Sequence, residues 1–275
     1  MPELPEVETV KQTLQAKLVG LSFKGVRIFL PKVVQTPAAE QVEEMIAGTK
    51  ILKIGRRGKY LLIHLDKALT LVTHLRMTGR LLYCAAGEPT EKYTHVIFYL
   101  DNGDELRFAD MRQFGRLWVV PESSLGELPA LKKLGMEPLE DGFTGEFLKK
   151  ATKRRNTRIK LLLLDQSFIA GLGNIYTDEA LYRAGINPER PAKTLTPREA
   201  NRLYRAIRTV LQEGIKHRGT TISDFVDGNG RAGNYQELLK VYKKAGRPCP
   251  GCGKPIERKK VGGRSSYYCP RCQRL

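Results

Sequence analysis

Residues 94–110 read Thr-His-Val-Ile-Phe-Tyr-Leu, then Asp-Asn-Gly-Asp, then Glu-Leu-Arg-Phe-Ala-Asp. The first arm is rich in β-branched and aromatic residues, and Asn102-Gly103 between the arms tolerates the positive φ of a tight turn, so the stretch predicts a β-hairpin. The same texture continues outward. Short apolar runs at 22–29, 51–56, 60–65, 69–74, 80–83 and 115–120 are separated by turn residues, with one short helix predicted at 40–46. So many antiparallel strands at this spacing predict a β-sandwich or barrel. Ahead of them, Leu4, Val7, Val10, Leu14 and Leu18 recur at helical spacing until Gly20 closes the segment. Behind them the composition changes. Proline and glycine punctuate residues 121–145, and helices are predicted at 145–150, 158–164, 174–184 and 197–216. Thr196-Pro197-Arg198-Glu199 supplies the last of these with a cap, a first-turn proline and an acid. The chain thus reads as α+β in two domains. Residues 1–130 form a β-sandwich with a leading helix, 131–145 a linker, 146–245 a helical region and 246–275 a small terminal module.

Charge narrows the partners. The 275 residues carry 47 Lys and Arg against 29 Asp and Glu, a formal net charge of +18. Such a field attracts polyanions, and neutralising phosphates releases counterions, so nucleic acid is the expected partner. No apolar run is long enough to span a membrane, no long basic amphipathic stretch points to an anionic bilayer, and the acidic start MPELPEVETV lacks the pattern of a secretory leader. A cytoplasmic, monomeric protein is expected.

Of five cysteines, Cys84 stands alone in an apolar run and reads as a packed thiol. Cys249-x-x-Cys252 and Cys269-x-x-Cys272 are separated by sixteen residues, the spacing of a zinc ribbon. Four thiolates close the tetrahedron and leave no position for a reacting water, so one structural Zn2+ is expected. Between the pairs, Val261-Gly262-Gly263-Arg264-Ser265-Ser266 reads as a hairpin tip whose glycines permit close approach; Arg264 is either a phosphate contact or a solvated turn residue.

At the other end, removal of Met1 would expose Pro2 as a secondary amine of the α-amino class, which titrates at about 8. An amine of this kind can attack C1′ of a deoxyribose and form an iminium, with adjacent Glu3 as proton donor. The plain alternative is that Pro2 and Glu3 merely start a helix. Arg56-Arg57-Gly58-Lys59 lies between two predicted strands, either as a basic turn on phosphates or with Lys59 acting as an acid/base beside the amine. Lys160 and the Gly171-Leu-Gly173-Asn174 turn join two predicted helices, and backbone at such a helix start offers N–H groups to an anion. The glycine-rich run 220–233 is expected to be a mobile loop.

Taken in order, MPELPEVET (1–9), RRGKYL (56–61), THLRMTG (73–79), DMRQFG (110–115), LLLDQ (162–166), GLGNIYTDEALYRAGINP (171–188) and the paired cysteines closely resemble the formamidopyrimidine-DNA glycosylase family of bacterial DNA glycosylase/AP lyases, over nearly the whole chain. The resemblance implies a helix–two-turn–helix domain between the sandwich and the zinc finger. It also implies an activity, excision of oxidised purines from double-stranded DNA followed by β,δ-elimination at the abasic site, in the nucleoid-associated cytoplasm. Pro2 then resembles the Schiff-base nucleophile, Glu3 the proton donor, Lys59 the lysine of β-elimination and Arg264 the finger arginine of δ-elimination. Tyr93, Arg112, Arg155, Lys160 and Asn174 fall at DNA-contacting positions. Met77, Arg112 and Phe114 resemble the residues that fill the gap left by a flipped nucleotide, where an apolar wedge and a planar cation can replace lost stacking. Tyr93 stands where the family often has histidine, and Gln113 where some members carry a second arginine. Two other readings fit parts of the pattern: an endonuclease VIII-like enzyme for oxidised pyrimidines, which Leu4 and the Met77/Arg112/Phe114 set disfavour, and a DNA-binding protein without chemistry.

Overall fold

The structure, a computed structural model, describes all 275 residues. In chain order its elements are α1 (Leu4–Leu18), β1 (Ser22–Ile28), β2 (Val34–Thr36), α2 (Ala39–Ile46), β3 (Thr49–Arg57), β4 (Tyr60–Leu65), β5 (Leu69–His74), β6 (Gly79–Cys84), β7 (Thr94–Leu100), β8 (Glu105–Asp110), β9 (Arg116–Pro121), α3 (Pro129–Lys132), α4 (Gly145–Thr152), α5 (Ile159–Leu164), α6 (Asn174–Ala184), α7 (Pro197–Lys216), β10 (Glu257–Val261) and β11 (Arg264–Tyr268). They group into two compact units. The first is Met1–Lys132 with His217–Asn234; the second is Lys133–Lys216 with Tyr235–Leu275.

In the first unit the 94–110 stretch forms the predicted hairpin, β7 against β8 with Phe98 opposite Leu106 and Val96 opposite Phe108. Gly103 sits at φ +91° in its turn. The strands run in the order β2-β9-β5-β4-β3-β1-β7-β8-β6. Only two residue pairs join β1 to β3, Ser22–Lys50 and Phe23–Thr49, before β1 bulges between Phe23 and Gly25 and continues along β7. The ribbon folds over at this narrow seam. One apolar cluster accordingly collects Phe23, Phe98 and Phe108 from one half and Ile51, Leu61, Ile63 and Leu117 from the other, with Val7, Val10, Leu14 and Leu18 of α1 added to it. The result is the expected sandwich with its leading helix. Strand β2 was not legible in the sequence: three residues, Val34-Gln35-Thr36, are too few for a period-two pattern, and their parallel pairing with β9 makes them a strand.

Two stretches differ from the composition-based reading. Residues 133–143 do not act as a loose linker, because Phe143 and Glu137 are buried and the backbone pairs with residues 166–170 through Gly135 N–Gln166 O (2.8 Å), Met136 N–Phe168 O (3.1 Å) and Ala170 N–Met136 O (2.9 Å). Pro and Gly mark turns there, and the turns are packed. The glycine-rich 220–233 run, expected to be free, is pinned to the first unit. Thr220 N donates to Glu6 Oε1 (2.7 Å), Gly228 N to Thr13 Oγ1 (3.0 Å) and Tyr83 N to Gly228 O (2.8 Å). At Gly228 an added Cβ would lie 2.6 Å from Leu14 Cδ2, so glycine is required by the closeness of α1.

In the second unit α7 is strongly amphipathic, burying Leu203, Ala206, Ile207, Val210 and Leu211. Its start carries the predicted capping arrangement: Glu199 N donates to Thr196 Oγ1 (3.2 Å), while Thr196 N donates to Glu199 Oε2 (2.9 Å). Arg190 bonds both oxygens of the same carboxylate, at 2.5 and 3.1 Å. No helix is long and apolar enough to cross a membrane.

The Arg190 hydrogen bond, opposed by partial burial and helped by Thr196, holds the Glu199 carboxyl down at about 2, against an ordinary value of 4.5. A depressed carboxylate contributes stability that is present above its unfolded pKa and lost as pH falls through its folded one. Glu199→Gln is therefore expected to be less stable near neutrality but to lose less stability than the parent between pH 4.5 and 2. Urea midpoints across that window check this; parallel curves would contradict it.

Candidate functional site

The N-terminal constellation assembles at the start of α1. Met1 is 48% exposed, whereas Pro2 and Glu3 are buried, Glu3 at 3%. Glu3 is the residue from which the helix begins, and its backbone N–H donates to Glu6 Oε2 (2.8 Å). Glu6 thus bonds Glu3 with one oxygen and Thr220 with the other, joining the chain start to the 217–234 segment. Sequence reasoning missed Glu6; the signal was an acid three residues past the helix start.

One turn further, Glu8 Oε2 receives Arg56 Nε at 2.9 Å, and Arg56 Nη1 also bonds Gly58 O at 3.0 Å. Burial alone would raise the Glu8 carboxyl, but hydrogen bonds from Lys11 and Arg56 outweigh it and hold the group below the ordinary carboxylate range. This pair ties α1 to the β3–β4 turn, where Gly58 at φ +54° reverses the chain and Lys59 is 5% exposed. Pro2, Glu3 and Lys59 are therefore carried by two elements clamped together. Behind Lys59, burial pushes the His74 imidazole down to about 3, helped by the positive charges of Arg76 and Lys59. His74 is neutral, and its Nδ1 accepts from Arg76 N at 2.9 Å.

Met77, Arg112 and Phe114 also come together. Arg112 Nη1 lies 3.1 Å from Met77 Sδ, and its guanidinium stands 4.9 Å from the Phe114 ring centroid. Met77 is 42% and Phe114 46% exposed, against the ordinary expectation that such side chains are core. Two loops present them, and both contain non-glycine residues in the left-handed region, Arg76 at φ +56° and Gln113 at φ +58°. Fully buried Asp110, a second residue the sequence did not single out, holds the loops: Thr78 Oγ1 (2.5 Å) and Arg112 N (3.1 Å) donate to Oδ1 and Gly115 N (2.7 Å) to Oδ2. His95 Nε2 meets the Asp110 carbonyl at 2.8 Å. Tyr93 is partly buried beside Lys92, whose ammonium lies 5.5 Å from its ring, and Tyr93 O accepts from Asp110 N.

In the second unit Arg155 is exposed within the basic run 153–158. Lys160, expected as a phosphate contact, lies elsewhere. It is 0% exposed, with Nζ 2.6 Å from Asp178 Oδ1 and 2.9 Å from Ser265 O. An ammonium so enclosed braces the finger. Asn174, at the first turn of α6, donates from Nδ2 to the same Ser265 carbonyl (2.9 Å), and Asp178 Oδ2 accepts from Tyr267 N (2.9 Å). Burial pushes the Asp178 carboxyl up to about 7 although Lys160 and the Tyr267 N–H oppose it. Asn174 Oδ1 is buried without a hydrogen-bond partner. Strands β10 and β11 form the predicted hairpin. Gly262 and Gly263 make its tip, and a Cβ at Gly262 would overlap Leu161 of α5, so the finger is seated on the helices through this glycine. Arg264, just past the tip, is exposed.

At the root of the hairpin the Sγ atoms of Cys249, Cys252, Cys269 and Cys272 all lie within 4.8 Å of one another, with Cys252–Cys269 at 3.4 Å and Cys249–Cys272 at 3.9 Å. A tetrahedral ion with bonds of about 2.3 Å separates its sulfurs by about 3.8 Å, so the set fits one zinc. Tyr182 of α6 places its hydroxyl 3.3 Å from Cys249 Sγ, the supporting contact that ligand sulfurs ordinarily have. Cys84 is buried away from this set, as expected.

Comparison with known proteins agrees with this geometry. The family model of the formamidopyrimidine-DNA glycosylase N-terminal domain matches residues 1–117, that of its H2TH domain residues 134–226, and that of a zinc finger found in FPG and IleRS residues 246–275. A formamidopyrimidine-DNA glycosylase of Pelotomaculum thermopropionicum is 66% identical, each chain covering all of the other. Among solved structures, a Lactococcus lactis FPG mutant in complex with Fapy-dG-containing DNA is 34% identical with a TM-score of 0.94, covering both chains fully. The L. lactis protein with an abasic-site DNA is 35% identical, also at 0.94, covering 99% of this chain and all of that one.

Two outcomes follow from the site. Asp110→Ala strands three donors and is expected to cost about 1–3 kcal/mol of stability, whereas exposed Phe114→Ala stays within about 0.5 kcal/mol; urea titration separates them, and equal losses would contradict the anchoring role. Removing zinc with a strong chelator is expected to open residues 246–275 to trypsin while β-sheet circular dichroism persists. Protection of that tail in chelated protein would show that the metal does not hold it.

Proposed function

We propose that this chain, which belongs to the formamidopyrimidine-DNA glycosylase family, excises oxidised purines such as 8-oxoguanine and formamidopyrimidines from double-stranded DNA and then opens the strand, as a base-excision repair enzyme. Once Met1 is removed, the Pro2 nitrogen lone pair attacks C1′ of the damaged nucleotide. The C1′–base bond breaks with a proton from Glu3 to the departing base, the Pro2 N–H proton is lost, and the C1′–O4′ bond then opens with O4′ taking a proton, leaving an iminium between Pro2 and C1′. That cation draws electrons from C2′, whose proton is lost as the 3′ phosphate departs; a second elimination releases the 5′ phosphate. Lys59 serves the first elimination and Arg264 the second. Asn174, Arg155, Arg112 and Tyr93 contact the DNA backbone, and Met77, Arg112 and Phe114 occupy the space of the flipped nucleotide. Lys160 acts indirectly, by fixing Ser265 beside Arg264.

The observation that carries this reading is the clamp of α1 on the β3–β4 turn. A 2.9 Å Glu8–Arg56 pair holds buried Pro2 and Glu3 on one side and buried Lys59 on the other. A lysine kept from water on a turn clamped to that helix is unusual for a purely structural element. Zinc plays no part in the bond changes; it keeps the hairpin behind Arg264 folded. The chain works as a monomer in the nucleoid-associated cytoplasm of a bacterial cell.

Borohydride reduces an iminium to a stable amine, so the wild type is expected to cross-link to an abasic duplex. Pro2→Gly should lose most of that adduct. Glu3→Gln is expected to slow base release by about 10²–10⁴-fold and yet still to cross-link to a preformed abasic site. Undiminished trapping by Pro2→Gly, or full nicking by protein that mass spectrometry shows to retain Met1, would exclude the amine as nucleophile.

A further inference from the structure

We propose that the groove between α6 and α7 in the second unit is a docking site for an acidic protein segment carrying one bulky apolar anchor residue. Arg198, Arg202 and Arg205 follow one another at i, i+4 and i+7 on α7, and so share one helix face. None of the three has a carboxylate partner, although neighbouring arginines do: Arg190 pairs with Glu199 at 2.5 Å and Arg183 with Glu213 at 2.8 Å. Arg202 is held in place by donating from Nε to the Ala184 carbonyl at the end of α6 (3.2 Å). Together Arg183, Arg202 and Arg205 wall a groove of about 220 Å³ floored by Ala206 and Thr209. Guanidiniums gathered this way repel one another until carboxylates or phosphates enter, and their forked geometry suits either.

The apolar half selects protein over nucleic acid. Arg183 also lines a second cavity of about 450 Å³, whose apolar walls are Tyr182, Val210, Tyr235 and Leu238 and whose two carboxylates are already engaged, Glu213 by Arg183 and Glu179 by the N–H groups of Lys240, Val241 and Tyr242. Leu238 is 38% exposed there. The walls are fixed: Tyr182 bonds Cys249, and Tyr235 stacks on Tyr176 at 5.4 Å and 14°. A preformed, largely apolar pocket beside a row of cations fits a peptide with an aromatic or large aliphatic side chain flanked by aspartates or glutamates. A DNA backbone would satisfy the arginines and leave the pocket empty. The site is also far from the contacts proposed for DNA on this unit: Arg183 follows Asn174 by nine residues of helix, about 14 Å along α6.

The test is fluorescence anisotropy with a labelled, C-terminally amidated peptide Gly-Ser-Asp-Asp-Asp-Phe and full-length protein. Saturable binding is expected that needs both halves of the peptide, so replacing Phe with Ala or the aspartates with serines should abolish it. Arg205→Glu should weaken binding by at least about tenfold and leave nicking of an abasic duplex unchanged; Arg202→Glu should act alike. Arg264→Ala should leave peptide affinity as it was. Saturating abasic duplex should not displace the peptide. Absence of saturable binding, binding indifferent to Arg205→Glu, or displacement by duplex together with sensitivity to Arg264→Ala would overturn the proposal, the last by assigning these arginines to the DNA surface. Since nicking is read separately, failure here leaves the glycosylase reading intact, and loss of trapping by Pro2→Gly says nothing about this groove.

Discussion

The buried pair of Lys160 and Asp178 is the contact on which the order of the second unit rests. Neither group meets solvent, and two charges taken from water are favourable only when every remaining valence is filled. Here they are used to reach β11. The ammonium spans to the Ser265 carbonyl and the carboxylate to the Tyr267 N–H, so α5, α6 and the finger hairpin share one polar node. Two further contacts complete the seating, the fit of Gly262 over Leu161 and the Tyr182 hydroxyl against Cys249. A finger with so little apolar surface of its own is thereby made continuous with the helices. The zinc ion closes its root, and the polar node fixes its middle.

The first unit uses carboxylates for the same purpose with backbone as the partner. Glu6 receives the N–H groups of Glu3 and Thr220, and Asp110 those of Arg112 and Gly115. Glu179 in the second unit does likewise for Lys240, Val241 and Tyr242. A carboxylate that accepts two or three main-chain donors fixes a loop more firmly than the loop's own turns can, because leaving such donors unpaired in a buried place is costly. Glu6 bonds Glu3 and Asp110 bonds Arg112, so two of these acids touch residues with proposed roles.

That arrangement explains which parts were legible in the sequence. Strands β4, β5, β7 and β8 and helices α6 and α7 have the bounds the sequence implied, because short apolar runs buried on both faces end at turn residues and the helices carry marked starts and stops. The cysteine pairs were legible for a different reason, since metal geometry imposes spacing directly. The distant contacts of Glu6, Asp110 and Asp178 were not, because a partner far along the chain leaves no local pattern: Thr220 lies 214 residues from Glu6, Thr78 32 from Asp110 and Tyr267 89 from Asp178. Lys160 shows the converse failure. A lysine beside a glycine-rich helix start looks like an anion contact, and only the packing of β11 over it reveals an enclosed strut.

Met77, Arg112 and Phe114 pose the remaining physical question, why an apolar pair should stand in solvent. Left alone, an exposed methionine and phenylalanine would turn inward onto the sandwich. Here they stand outward on loops that each contain one left-handed residue, Arg76 and Gln113, and that Asp110 ties together. The guanidinium of Arg112 then spans sulfur and ring and keeps the three side chains as one wedge. Such a wedge gains nothing in the free protein. In the proposed function its burial would come when a base stack opens around it, and that apolar surface would meet part of the cost of unstacking a nucleotide. The exposure thus goes with the Asp110 anchor, which joins both loops through Thr78, Arg112 and Gly115.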